Sequence, residues 1–432
     1  MADAPTIHDA PSQEDLSRCV HCGFCLQECP TYLQLGIETD SPRGRIHLLG
    51  ALTDGTVKAT PALTGHLDLC LQCRACETAC PSGVPFGRIM ESGRAMILQQ
   101  GAAPRSWRLR AWLLRQTLPY PKRLSFLFGV LRAYQRSGLQ RLLRASRLLR
   151  VLPGGLSEAE DMLPHLPSSS YEMKFDQTRS PRASTKKVAL LTGCVMPHLY
   201  PRTHEATVRV LVRHGIEVVD VPEQRCCGAL SIHAGDRVTG RALARRNIDA
   251  FLEAGVDAIV VNSAGCGATL TEYNELMEQD DAYAEKARRF SALVTDVNEF
   301  VADIGVQAPQ AALNVRVTYQ DSCHLVHGQK VRNAPRELLE SISGLELVEM
   351  ESPDRCCGSA GIYSLAQREM SMNILDDKMR DVAATEAPVI ATANPGCMLQ
   401  LEAGLRRHGL EGRVVHVIEL LDEAYRAEDN SD

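Results

Sequence analysis

Two twelve-residue stretches, CVHCGFCLQECP (Cys19–Pro30) and CLQCRACETACP (Cys70–Pro81), share the spacing C-x2-C-x2-C-x3-C-P. Each places three thiols at i, i+3 and i+6 of a tight loop, where they can converge on one centre. The fourth thiol precedes a proline and points elsewhere. Thiolates suit soft iron–sulfur chemistry, and the proline keeps the following chain from crowding the sulfur. In two-cluster arrangements with this spacing, the fourth cysteine of each run ligates the other cluster. The spacing therefore predicts one cubane cluster on Cys19, Cys22, Cys25 and Cys80, and a second on Cys70, Cys73, Cys76 and Cys29. Zinc is the competing reading. Structural zinc sites favour two C-x2-4-C pairs across a longer gap, and neither His21 nor His66 sits at ligand spacing.

The chain has 16 cysteines, and none lies between Cys80 and Cys194. The last eight form two sets of four: Cys194, Cys226, Cys227 and Cys266, then Cys323, Cys356, Cys357 and Cys397. Equivalent members are 129, 130 and 131 residues apart, and both pairs sit in the tetrapeptide RCCG. This is an internal duplication. In each half, strand-like runs lead into the cysteines: KKVALLTGC, IEVVDVPEQRCCG and AIVVNSAGC, then VRVTYQDSC, LELVEMESPDRCCG and VIATANPGC. Helical stretches such as TVRVLVRHG and GRALARRNIDAFLEAG separate them. Alternating strands and helices imply parallel sheets, whose sites form beyond the carboxyl ends of the strands. All eight body cysteines are thus candidate ligands of further clusters. The alternative is that they are small buried hydrophobes, which leaves a duplicated set of four unexplained. His198, His324 and His327 follow Cys194 and Cys323, and serve either as ligands or as loop caps.

Between head and body the composition changes. From Ser92 to Ser157 there is no Asp or Glu, while Arg recurs with Leu, Trp and Phe at helical intervals. Such helices can lie on an anionic membrane, dock a partner subunit, or scaffold head against body, and amphipathicity does not choose among these. No groove-binding motif accompanies the arginines, and a net charge of -6 gives no case for nucleic acid. DQTRSPRASTKK (Asp176–Lys187) reads as a linker. The first residues, MADAPTIHDAPSQEDLSR, lack the basic and apolar regions of a signal peptide, and no apolar run is long enough to span a bilayer. A cytoplasmic chain is expected, with clustered thiols kept for metal rather than disulfides. No G-x-G-x-x-G fingerprint occurs, so flavin or dinucleotide binding by this chain is not expected, and no catalytic residue is assigned.

The stretch CVHCGFCLQECPTYLQLGIETDSPRGRIHLL, with HLDLCLQCRACETACPSGVPF after it, resembles the head of glycolate oxidase iron–sulfur subunits. It is also similar to iron–sulfur subunits of anaerobic glycerol-3-phosphate dehydrogenase and of lactate oxidation systems. The duplicated body resembles the CCG cysteine-rich domain of heterodisulfide reductase, with one departure. That family has a further cysteine three residues before the last, where this chain has Ser263 and Asn394. The resemblance implies an electron-transfer subunit with two 4Fe-4S clusters and optional further clusters in the body. Its partner would be a flavin-containing dehydrogenase subunit that oxidises glycolate or a similar 2-hydroxy acid, with electrons passing towards a membrane quinone at the inner face of the cell membrane.

The expected fold class is α+β multidomain. A mostly helical two-cluster ferredoxin-type head (1–100) precedes a basic helical connector and linker (101–185). Two CCG domains with parallel sheets follow (186–305 and 306–432).

Overall fold

The computed structural model describes residues 9–146, 160, 163–173 and 186–430. The head is helical: α1 (Gln13–Ser17), α2 (Pro30–Leu35), α3 (Pro42–Thr53), α4 (Pro61–Asp68), α5 (Ala75–Thr78) and α6 (Phe86–Gln99). Proline opens α2, α3 and α4, where its missing N–H costs nothing. Ser41 and Thr60 cap α3 and α4, accepting from the N–H groups of Gly44 and Leu63 at 3.0 and 3.2 Å. Leu49, Leu67, Ile89, Met90 and Ile97 are fully buried at its centre, joined by Trp107.

Trp107 belongs to α7 (Arg105–Thr117), the first of three basic helices, followed by α8 (Pro121–Arg136) and α9 (Leu139–Ser146). One stripe of α7 faces inward. Trp107 enters the head core, while Leu114 packs with Leu118 on Cys226, Ala234 and Leu243 of the body. The expected linker lies outside the described residues, except for Lys186 and Lys187, which open the first strand.

The body contains two four-stranded, wholly parallel sheets. The first comprises β1 (Lys186–Leu191), β2 (Ile216–Val219), β3 (Ala258–Val261) and β4 (Val294–Asp296), in the order β2-β1-β3-β4. The second comprises β5 (Val315–Tyr319), β6 (Leu345–Leu347), β7 (Val389–Thr392) and β8 (Arg413–His416), in the order β6-β5-β7-β8. Six strands match those expected; β4 and β8 are short edge strands that add a fourth member to each sheet. The strand order has a consequence for function. The chain leaves β1 towards β2 on one side and β3 lies on the other, so the loops after β1 and β3 diverge and open a crevice. Cys194 and Cys266 follow those strands, and Cys323 and Cys397 follow β5 and β7 in the second sheet.

The halves are fused through a shared core. Val188 and Leu190 of the first sheet pack in one cluster with Val317 and Tyr319 of the second. The helix after β1 (Pro201–Arg213) lies along the helix after β8 (Val417–Asp429), and Arg209 grips Asp422 with two 2.7 Å bonds. The helix after β4 (Val297–Asp303) pairs likewise with the helix after β5 (Ala334–Glu340). First-strand helices therefore meet fourth-strand helices in both directions, the signature of a pseudo-twofold pair.

The head is clamped on both halves. Asp9 bonds Arg237 and Arg241 of the first half at 2.9 and 2.7 Å, and the buried Arg94 reaches the His233 carbonyl at 2.8 Å. Tyr363 of the second half donates to the Leu69 carbonyl at 2.9 Å, and Gln367 to Asp68 at 2.8 Å.

Candidate metal centres

The head forms two hollows ringed by cysteines. Cys19, Cys22, Cys25 and Cys80 line the first, of about 420 Å³ and partly open to solvent, with Ile46, Val84 and Phe86 as apolar wall. Cys29, Cys70, Cys73 and Cys76 line the second, of about 300 Å³. Each hollow thus receives three thiols of one run and the last of the other. Cys76, Pro42 and Phe86 border both hollows and form the partition between them. Among the described residues, no three His, Cys, Asp or Glu side chains converge on a point suited to a single metal ion. Four soft thiols around a mainly apolar hollow fit a multinuclear cluster better than one zinc ion. Burial pushes the Cys25 thiol up to about 11 and Cys76 well above its usual value. Without a cationic centre these groups stay protonated, so occupation couples to proton release.

The segment Ser41–Ile46, SPRGRI, fastens both hollows. Arg43 donates to the His21 carbonyl at 3.0 Å in the first run, and to Glu38 at 2.6 and 3.1 Å. Arg45 is buried, donating to the His66 carbonyl at 2.8 Å and to Thr31 at 3.1 Å, with Nη1 3.9 Å from the Cys29 sulfur. Its charge favours thiolate, and hence an anionic cluster, at the second hollow. Gly44 lies under the Glu38 carbonyl: an added Cβ would stand 2.0 Å from that oxygen. Gly44→Ala is expected to destabilise the head by more than about 2 kcal/mol and to lower its iron content, because the obstacle is backbone. Thermal unfolding and iron analysis of anaerobically purified protein check this; a variant unchanged in both contradicts it.

In the body, each RCCG turn is built alike. Gly228 and Gly358 take left-handed φ of 86° and 84°, and their N–H groups turn back to the sulfur of the first cysteine at 3.5 and 3.4 Å. A Cβ at Gly358 would stand 2.5 Å from the Ser371 carbonyl oxygen. The first turn is pinned by Tyr273, donating to the Cys227 carbonyl at 2.7 Å, and by Asn247 on the Cys226 carbonyl at 3.2 Å. Cys227 and Cys266 sulfurs are 3.3 Å apart, and Cys194 contacts Cys226. The crevice cysteines are not all at strand termini: Cys266 and Cys397 lie in the first turns of the helices Ala264–Thr271 and Pro395–His408. Ser263 and Asn394 occupy the N-cap positions of those helices, and Asn394 donates to the Cys397 sulfur at 3.5 Å. Asn394 also accepts from the Gly265 N–H at 3.2 Å, tying the halves together beside both sets.

The histidines separate. His198 bonds Ser170 at 2.7 Å and stacks on Phe128, and His327 bonds Thr78 at 3.0 Å. His324 differs: its Nδ1 is 3.4 Å from the Cys323 sulfur, and its buried Nε2 has no partner among the described residues. Burial and the neighbouring cations hold it neutral, well below its usual pKa.

One contact escapes sequence reasoning. Cys73 of the head packs in one buried cluster with Cys356 of the second half, and Cys323 lies against the same cluster. No local signal could reveal this pairing, because 283 residues separate the two.

Three family matches account for these elements. The 4Fe-4S dicluster domain matches residues 15–84, and the cysteine-rich CCG domain matches twice, at 188–271 and 317–402. The linker region of the glycolate oxidase iron-sulfur subunit matches 107–163. The probable glycolate oxidase iron-sulfur subunit of Bacillus subtilis is 44% identical over 423 residues, covering 95% of this chain and 94% of that one. The chain belongs to the glycolate oxidase iron–sulfur subunit family. The glycolate oxidase iron-sulfur subunit of Escherichia coli is 36% identical, covering 96% of this chain and 95% of its own. A fumarate reductase (CoM/CoB) subunit of Methanothermobacter marburgensis is 30% identical over 96% of this chain and 74% of that one. A hypothetical protein from Helicobacter pylori shares the fold, with a TM-score of 0.53 at 9% identity, over 95% of this chain and 72% of its own. Members of this family are iron–sulfur subunits, and the dicluster and CCG donor sets fit multiple 4Fe-4S clusters.

Proposed function

We propose that the chain is the electron-transfer subunit of a glycolate dehydrogenase complex. A separate flavin subunit oxidises glycolate to glyoxylate, releasing two electrons and two protons, which a membrane quinone finally takes up as quinol. Iron–sulfur clusters bound in the head supply one-electron steps between these two-electron partners. Cys19, Cys22, Cys25 and Cys80 hold the first cluster, and Cys70, Cys73, Cys76 and Cys29 the second. The body cysteines are candidate ligands of further centres.

The chain's own residues order the route. Cys22 is exposed, and Val20 and Phe24 beside it are 66% and 67% exposed, which suits docking of an electron donor at the first hollow. Cys76, Pro42 and Phe86, which line both hollows, set the two centres side by side. Arg45 and Arg94 hold the second run in place, Arg94 through the carbonyls of Leu67 and Cys70 at 2.6 and 2.9 Å. The single observation that carries the reading is the packing of Cys73 and Cys356 in one buried cluster, which joins the head to the second CCG set.

The similarity to a fumarate reductase (CoM/CoB) subunit supports a second reading, in which the CCG sets carry out thiol–disulfide chemistry. Ser263 and Asn394, in place of thiols, weigh against it. Co-purification with neighbouring subunits and glycolate-dependent dye reduction distinguish the two. The proposal expects a flavin-containing partner and glycolate-driven reduction of the iron–sulfur signals. Disulfide reduction by the chain alone, with no flavin partner, overturns it.

A further inference from the structure

Nine of the seventeen large apolar side chains that stand exposed among the described residues lie between Leu109 and Leu142. All but Tyr120, which stands just before α8, belong to the outer faces of α7, α8 and α9. With Trp107, Ala111 and Leu114 turned inward, α7 presents Leu109, Trp112 and Leu113 to solvent, flanked by Arg105 and Arg108. In α8, Phe128 stacks on His198 and Arg132 donates to the Pro167 carbonyl at 3.1 Å, which turns Phe126, Leu127 and Val130 outward with Lys122 and Arg123. In α9, Gln140 and Arg144 bond Glu160 at 2.6 and 2.7 Å, leaving Leu142 64% exposed beside Arg141. No Asp or Glu occurs from Ser92 to Ser157, so the whole face carries one sign of charge.

We infer that the outer face of α7–α9 rests on an anionic lipid bilayer. Exposed Trp, Phe and Leu tips among basic residues are the composition of helices that lie in a membrane interface, and anionic headgroups attract each cation. A headgroup layer of uniform negative sign matches a face whose helices carry Arg and Lys and no Asp or Glu. Among the described residues no helix is long and apolar enough to cross a membrane, so the contact is peripheral. The inner face of α7 packs Leu114 and Leu118 on Cys226, with Cys194 alongside. The first CCG set therefore stands directly behind the face that meets the lipid. This placement rests on the proposed delivery of electrons to a quinone for its purpose, though not for the binding itself.

The test uses the full cluster-loaded chain with vesicles of phosphatidylcholine alone, or containing roughly one-third phosphatidylglycerol. The protein supplies its own probe, because its two tryptophans are 1% and 55% exposed, at Trp107 and Trp112. Anionic vesicles should shift Trp112 emission to the blue and pull the protein down on sedimentation, with loss of both at high salt. The triple variant Arg105→Gln, Arg108→Gln, Lys122→Gln should bind on the order of 100-fold more weakly. Trp112→Ala with Phe126→Ala should weaken binding at least about tenfold. Glycolate-dependent dye reduction in solution by the complex should be unchanged in both variants. Equal behaviour on neutral and anionic vesicles, or loss of the flavin subunit rather than of vesicle binding in either variant, overturns the inference. Absence of glycolate-driven reduction in the unaltered complex counts against the proposed function instead, and leaves the vesicle result standing on its own.

Discussion

Cys29→Ser is expected to remove the cluster of the second run while sparing the one beside its own run. Cys29 faces the hollow lined by Cys70, Cys73 and Cys76, under the Arg45 guanidinium, whereas Cys19, Cys22 and Cys25 open into the other hollow with Cys80. The spectral signature of one cubane should disappear or convert to a three-iron form, and iron should fall by about one to four atoms per chain. Cys80→Ser should do the reverse. Paramagnetic resonance of the dithionite-reduced proteins, combined with Cys22→Ser as a marker of the first cluster, assigns the signals. Loss of the same signal in Cys29→Ser and Cys22→Ser contradicts the crossing.

The second large effect concerns the route out of the head. Cys356 shares one buried cluster with Cys73, Leu71, Tyr363 and Ile374, and Cys323 packs against that cluster. Under the proposed function, both head clusters of Cys356→Ser should still be reduced by the flavin partner with glycolate, but quinone reduction should fall by about two orders of magnitude or more, at roughly 3 kcal/mol of added barrier. Folding is controlled by Cys356→Ala, since the thiol lies in apolar surroundings that accept a methyl group. Rapid-mixing optical measurements separate the steps. Quinone reduction at an unaltered rate in both variants removes the second CCG set from the route.

Much of this architecture is legible because it is written in spacing. The C-x2-C-x2-C-x3-C-P runs specify which thiols face inward locally, and the 130-residue offset of the RCCG tetrapeptides announces the duplicated sheets. SPRGRI stands out within the first stretch, and the structure supplies its reasons: a proline at the helix start, a glycine under the Glu38 carbonyl, and two arginines that reach different hollows. The edge strands β4 and β8 escape a reading of the sequence, since three- and four-residue strands carry too little periodicity to stand out. The contacts between units are illegible for a different reason. Cys73 on Cys356, Asn394 on Gly265 and Asp9 on Arg241 each join distant parts of the chain, and no local pattern encodes them. The basic helices fall between these cases. Their sequence leaves scaffold, partner and membrane open, and packing shows that the inward stripe of α7 is a scaffold while the outward stripe is uncovered among the described residues.

The central claim is that this chain is an iron–sulfur relay, and iron with acid-labile sulfide on the anaerobically purified protein tests it most directly. The head alone should give about eight of each per chain, rising to about twelve or more if the CCG sets are occupied. About two irons or fewer, with zinc in their place, would contradict the account.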